Sequence, residues 1–110
     1  MPPAYVPDAG DIVWVNFNPQ TGHERAGHRP AVVLSSAAYN AKTSLMLCCP
    51  ITKQIKRYPF EVRVAGPRPS TVLADQVKTR DWRKRRARRK GLISADEFEE
   101  ERAKTRALIG

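Results

Sequence analysis

The chain has 110 residues, 41% hydrophobic and 7% aromatic, enough for one modest core and inconsistent with an intrinsically disordered polymer. Twenty basic against eleven acidic residues give a net charge of +9. Nine of the basic residues, with Asp81 as the only acid, lie between Lys78 and Lys90, so the charge is a patch on an otherwise nearly neutral chain. Such a patch attracts polyanions or an acidic protein.

In chain order, Met1-Pro2-Pro3-Ala4-Tyr5 has neither the charged nor the apolar region of a secretory signal, and none is expected. No apolar run approaches membrane-spanning length. Val6 to Asp11 is a turn-rich entry, and Ile12-Val13-Trp14-Val15-Asn16-Phe17 is β-branched and aromatic, hence a strand. Asn18-Pro19-Gln20 breaks it. The loop from Thr21 to Pro30 then gathers Glu24, Arg25, Arg29 and both histidines, His23 and His28. Gly22 and Gly27 free its backbone, while Pro30 biases Arg29 toward extended geometry and opens a buried strand at Ala31–Ser35. A polar loop anchored to a rigid strand, with Arg29 at the junction, is a common setting for functional side chains.

Ala37 to Ala41 suits a short helical turn. Leu45-Met46-Leu47-Cys48-Cys49 is a third strand, ended by Pro50-Ile51-Thr52. Cys48 and Cys49 are the only cysteines, and strand neighbours point to opposite faces, so free thiols in a reducing cytosol are expected. Tyr58 to Val64 alternates from Phe60 onward and reads as a one-sided fourth strand. After the turn at Gly66–Ser70, Thr71 to Lys78 reads as a fifth.

The basic run Arg83–Lys90 reads equally well as a docking patch or as a solvated, partly disordered loop. Ser94 with Glu97 three residues on forms a capping box. The helix it starts has acids in its first turns and bases in its last, with Ala95, Phe98, Arg102, Thr105 and Ile109 on one face. Short strands closed by a terminal helix predict one domain over residues 1–110, mainly β, a small, strongly curved antiparallel barrel with a C-terminal helix.

The histidine spacing and the absence of C-x-x-C or H-E-x-x-H patterns speak against a metal site, and no glycine-rich phosphate loop opens a helix, so no cofactor is expected. What remains is chemistry on an anion. RNA phosphodiester cleavage needs a proton acceptor for the 2′-OH, cationic donors at phosphorus and a proton for the leaving oxygen. Glu24, His28 and Arg29 supply such groups, and Thr52, beside Lys53 and Gln54, adds a hydroxyl. Each also fits a structural role. Glu24 suits a surface ion pair with Arg25, His28 a loop hydrogen bond, Arg29 a partner for Asp75, and Thr52 a strand filler.

Several stretches resemble the MazF/PemK family of toxin endoribonucleases. They are Tyr5-Val6-Pro7-Asp8, Gly10-Asp11-Ile12-Val13-Trp14-Val15, Ala26 to Ser35, Tyr58-Pro59-Phe60-Glu61-Val62, Leu73-Ala74-Asp75-Gln76-Val77-Lys78 and Leu108-Ile109-Gly110. The resemblance runs nearly end to end in the same order. It implies an SH3-like barrel, a cytoplasmic homodimer, and metal-independent, sequence-specific cleavage of single-stranded mRNA. It also implies neutralisation by an acidic antitoxin of the MazE kind. Carried over residue by residue, Glu24 matches a glutamate whose loss disarms such toxins, Arg29 the catalytic arginine, and Thr52 the threonine paired with it. Asp75 and Gln76 match positions lining the RNA groove, with His28, Lys53, Gln54, Lys78, Arg83 and Arg86 as further expected RNA contacts. Arg25 and the Arg83–Lys90 run are richer in arginine than the family pattern. A gyrase-poisoning toxin of the same barrel and a basic RNA-binding protein are the alternative readings, because fold alone does not fix function.

Overall fold

The computed structural model describes residues 5–16 and 28–110. Within them the order is β1 (Asp11–Asn16), β2 (His28–Val33), α1 (Ala37–Thr43), β3 (Leu45–Thr52), β4 (Glu61–Val64), β5 (Ser70–Leu73), β6 (Lys78–Asp81), β7 (Arg88–Leu92) and α2 (Ala95–Ile109). All strand pairs are antiparallel, in the order β4-β5-β3-β2-β1-β7. The long β3 carries β6 against Leu45–Cys48 and β5 against Ile51–Thr52. One strand thus serves two wings, and the result is a half-barrel with α2 packed on it, the mainly β fold with a C-terminal helix that the sequence predicts.

The central strands are buried on both faces. Val13, Val15, Ala31, Val33, Met46, Cys48 and Trp82 form one core cluster, and Val32, Cys49, Ile51, Val62, Val72, Ala74 and Ile93 the other. This is why Ala31-Val32-Val33 and Met46 to Cys49 read as continuous apolar runs rather than alternating ones. Cys48 and Cys49 point into different clusters, and burial pushes the Cys48 thiol up to about 11. Asn40, wholly buried on α1, ties three segments together. Its side-chain amide donates to Pro7 O (2.7 Å) and Ser35 O (3.1 Å), while its backbone carbonyl accepts from Trp82 Nε1 (2.8 Å).

Five expectations need correction. The strand expected at Ala31 already begins at His28, so Arg29 and Pro30 are part of β2, and β3 runs through Pro50 to Thr52. The strand expected over Thr71–Lys78 is two strands. Gln76 N donates to Leu73 O (3.0 Å), closing a turn that carries the chain from one wing of β3 to the other. The basic run Arg83–Lys90 is not one loop: its first half is a turn and its second half a strand. Ala87 N donates to Trp82 O (3.0 Å) to close a tight turn, and the rest pairs with β1 as the edge strand β7. Its arginines lack β propensity but suit an edge, where charge discourages further pairing.

The last correction concerns α2. The capping box is present, Glu97 N to Ser94 Oγ at 3.2 Å and Ser94 N to Glu97 Oε1 at 3.4 Å. Its inward face, however, carries Phe98, Glu101 and Thr105, whereas Ala95 and Arg102 are exposed and Ile109 is 80% exposed. Glu101 is wholly buried: its Oε1 accepts from Thr105 Oγ1 (2.6 Å) and Cys49 Sγ (3.5 Å), and burial holds its carboxyl above the ordinary range. A charged residue type on the packing face defeats a reading from hydrophobic periodicity.

Candidate active site

The Arg29–Thr52 relationship follows from strand register. β2 and β3 pair through Ala31–Pro50, Val32–Cys49 and Val33–Cys48. Carried on by two residues, that register sets Arg29 opposite Thr52, and both line one cleft of about 950 Å³. The Thr52 hydroxyl accepts a hydrogen bond from Gln54 N at 3.1 Å. A hydroxyl has one proton and two lone pairs, so accepting from Gln54 leaves its proton available to a ligand in the cleft. His28, Lys53 and Gln54 line the same cleft, with Arg29, Lys53 and Gln54 exposed. The structure therefore brings together Arg29, Thr52, His28, Lys53 and Gln54. Glu24, with His23, Arg25 and the rest of the loop 17–27, lies outside the described residues.

The other candidates lie away from this cleft. Asp75 and Gln76 sit in the exposed turn between β5 and β6, where Asp75 Oδ1 accepts a short hydrogen bond from Tyr58 Oη. That bond holds the Tyr58 hydroxyl proton, pushing its pKa up to about 12. Lys78 is on β6 opposite Cys48. The Arg83 guanidinium stacks 4.5 Å from the Trp82 ring and donates to Ser44 Oγ, fastening the turn after β6 to the end of α1. Arg86 occupies the same turn in left-handed geometry (φ 50°).

The cleft also holds groups that the sequence did not reveal. β1 and β7 pair as Ile12–Gly91 and then Val13–Arg89, so Lys90 is the extra residue of a β-bulge. Bulges re-aim side chains beside functional sites. Here Lys90 lines the cleft, with Nζ 5.3 Å from the Trp14 ring centre. Trp14 and Ile51 give the cleft apolar surface, and Arg68 on the β4–β5 connection adds a further cation. The signal for Lys90 lay in the basic run, but nothing in the run distinguishes a bulged residue from its neighbours. Arg89, next to it, pairs with Asp11 at 3.7 Å instead. Arginine and lysine around an apolar, aromatic floor suit a single-stranded polyanion whose flat bases stack. Among the described residues no group of three His, Cys, Asp or Glu side chains is placed to hold a metal ion.

Residues 8–109 match the family described as PemK-like, MazF-like toxin of type II toxin-antitoxin system. The chain is 53% identical over 107 residues to the endoribonuclease toxin MazF of Escherichia coli (strain K12), covering 96% of each chain. Among solved structures it resembles MazF of Deinococcus radiodurans, with 50% identity and a TM-score of 0.87 over 97% of this chain and 99% of that one. It is also similar to a chain of the MazE–MazF complex from the same organism, with 46% identity and a TM-score of 0.87 over 97% and 98%.

Proposed function

The chain belongs to the PemK-like, MazF-like toxins of type II toxin–antitoxin systems, and from that premise we propose how it acts as an endoribonuclease. It is one domain that works as a homodimer in the cytoplasm. It cuts single-stranded mRNA at a specific sequence and needs no metal ion. The observation that supports the site assignment is that Arg29, two residues before the paired Ala31 on β2, and Thr52, two residues after the paired Pro50 on β3, line one basic cleft.

In the cleavage step the 2′-oxygen attacks the adjacent phosphorus as its proton passes to a base. The P–O5′ bond breaks, the 5′-oxygen takes up a proton, and the products are a 2′,3′-cyclic phosphate and a 5′-hydroxyl. Arg29 clamps the phosphate with its planar fork and stabilises the charge that builds on it, and Thr52 donates to a non-bridging oxygen. Glu24 is the natural base, because a carboxylate accepts a proton at neutral pH and a guanidinium does not. Lys53, Lys90 and Arg68 supply cations along the strand's path, and Trp14 offers a face for a base.

The partner that silences the enzyme is an acidic antitoxin of the MazE kind, for which the excess of basic residues provides the complementary charge. Exposed apolar side chains support the dimer. Leu47 on β3, Val77 just before β6, and Leu108 and Ile109 at the end of α2 are all exposed. Among the described residues no helix is long and apolar enough to cross a membrane. Replacing the scissile nucleotide by its 2′-deoxy analogue tests the chemistry: cleavage stops while binding stays nearly intact. Continued cleavage of the deoxy strand overturns the mechanism.

A further inference from the structure

Thr52 is held by the segment that follows it, and that segment is held by one buried carboxylate. Glu61, at the start of β4, is 7% exposed. Its Oε2 accepts from Lys56 N at 3.0 Å and its Oε1 from Arg57 N at 2.8 Å. Arg57 has φ 62°, a left-handed conformation that a β-carbon disfavours, so the turn stands only where its surroundings enforce it. The Glu61 carbonyl is fixed in turn by Lys104 Nζ at 2.7 Å, and Lys104 is paired with Glu100 at 3.1 Å on α2. A chain of contacts therefore runs from α2 through Glu61 to the Lys56–Arg57 turn. Two residues before that turn, Gln54 N sets the orientation of the Thr52 hydroxyl.

We propose that Glu61 is a positioning residue for RNA cleavage: its carboxylate clamps the Lys56–Arg57 backbone and thereby aims the Thr52 hydroxyl proton, with Lys53 and Gln54, into the cleft. The proposal rests on the reading above in which Thr52 touches the phosphate. The two carboxylate oxygens are both required, since each accepts from a different N–H. Glu61→Gln keeps one acceptor and turns an amide donor toward the other N–H, which releases the turn without removing side-chain volume.

The test is a double-mutant cycle on purified protein with a fixed RNA oligonucleotide, comparing wild type, Glu61→Gln, Thr52→Ala and the pair, with thermal melting alongside. Glu61→Gln lowers kcat about tenfold to a hundredfold with KM little changed, the scale of a small misplacement of a reacting group. In the Thr52→Ala background the same substitution costs less than about twofold, because the group it positions is gone. Equal losses in both backgrounds overturn the positioning role and leave the cleavage reading standing. A Thr52→Ala variant as active as wild type overturns both. If Glu61→Gln does not fold, the cycle is run with Glu61→Asp, which keeps the carboxylate but draws it back by one methylene from Lys56 N and Arg57 N.

Discussion

A guanidinium presents a planar fork, so the contribution of Arg29 is geometric as much as electrostatic. Arg29→Ala lowers the cleavage rate at least about a hundredfold, in line with about 2.7–4 kcal/mol for one preorganised donor, while the fold survives because the side chain is exposed. Arg29→Lys recovers only part of the rate. A carboxylate base must be ionised to work, so Glu24→Gln removes the acidic limb of the pH–rate profile. Retention of both the rate and that limb shifts the base to Arg29 or His28. The sequence singled out Arg29 at a loop-to-strand junction and Thr52 at a strand end beside Lys53 and Gln54, although Pro30 and Pro50 lie inside β2 and β3 rather than at their ends. Lys90 was not singled out, because only the bulge in the β1–β7 pairing separates it from the other cations of its run.

At the level of elements, α2 and β7 make separate demands. Burial raises the Glu101 carboxyl above its ordinary value of 4.5, so the folded chain binds this proton more tightly than the unfolded one. The stability this adds is fully present below pH 4.5 and is lost as pH rises through the folded value. Glu101→Gln therefore flattens the fall in melting temperature between weakly acidic and neutral pH. Parallel curves for the two proteins contradict a raised Glu101. In β7 and the turn before it, Arg85 donates to Asn16 O at 3.0 Å and Arg89 pairs with Asp11, so these two serve the fold. Lys84, Arg86 and Arg88 are exposed. Replacing those three with glutamine flattens the log–log salt dependence of RNA binding by up to about 0.7 per lost phosphate contact. An unchanged slope assigns them to solubility alone. β1, the first part of β3 and the capped start of α2 were readable because a β-branched run, a continuous apolar run and a capping box are local signals. The break at Ala74–Asp75 was not, because it is imposed by the sharing of β3 between two wings, and no residue in Thr71–Lys78 announces it.

For the whole molecule, the curvature that opens the cleft also leaves apolar side chains on the outside, and a chain of 110 residues has little core to spare. Ile109→Asp, at a position 80% exposed, leaves the protomer folded and shifts its mass toward monomer at low micromolar concentration. A dimer unchanged by this substitution places the interface elsewhere. The most direct measurement incubates the purified protein with one long unstructured RNA in excess chelator and determines the chemistry of the new ends. Cleavage through the fold's own side chains gives discrete fragments at a recurring sequence, with 2′,3′-cyclic phosphate and 5′-hydroxyl ends at each cut, and none with Arg29→Ala. Intact RNA, or cleavage that returns only when magnesium is restored, contradicts it.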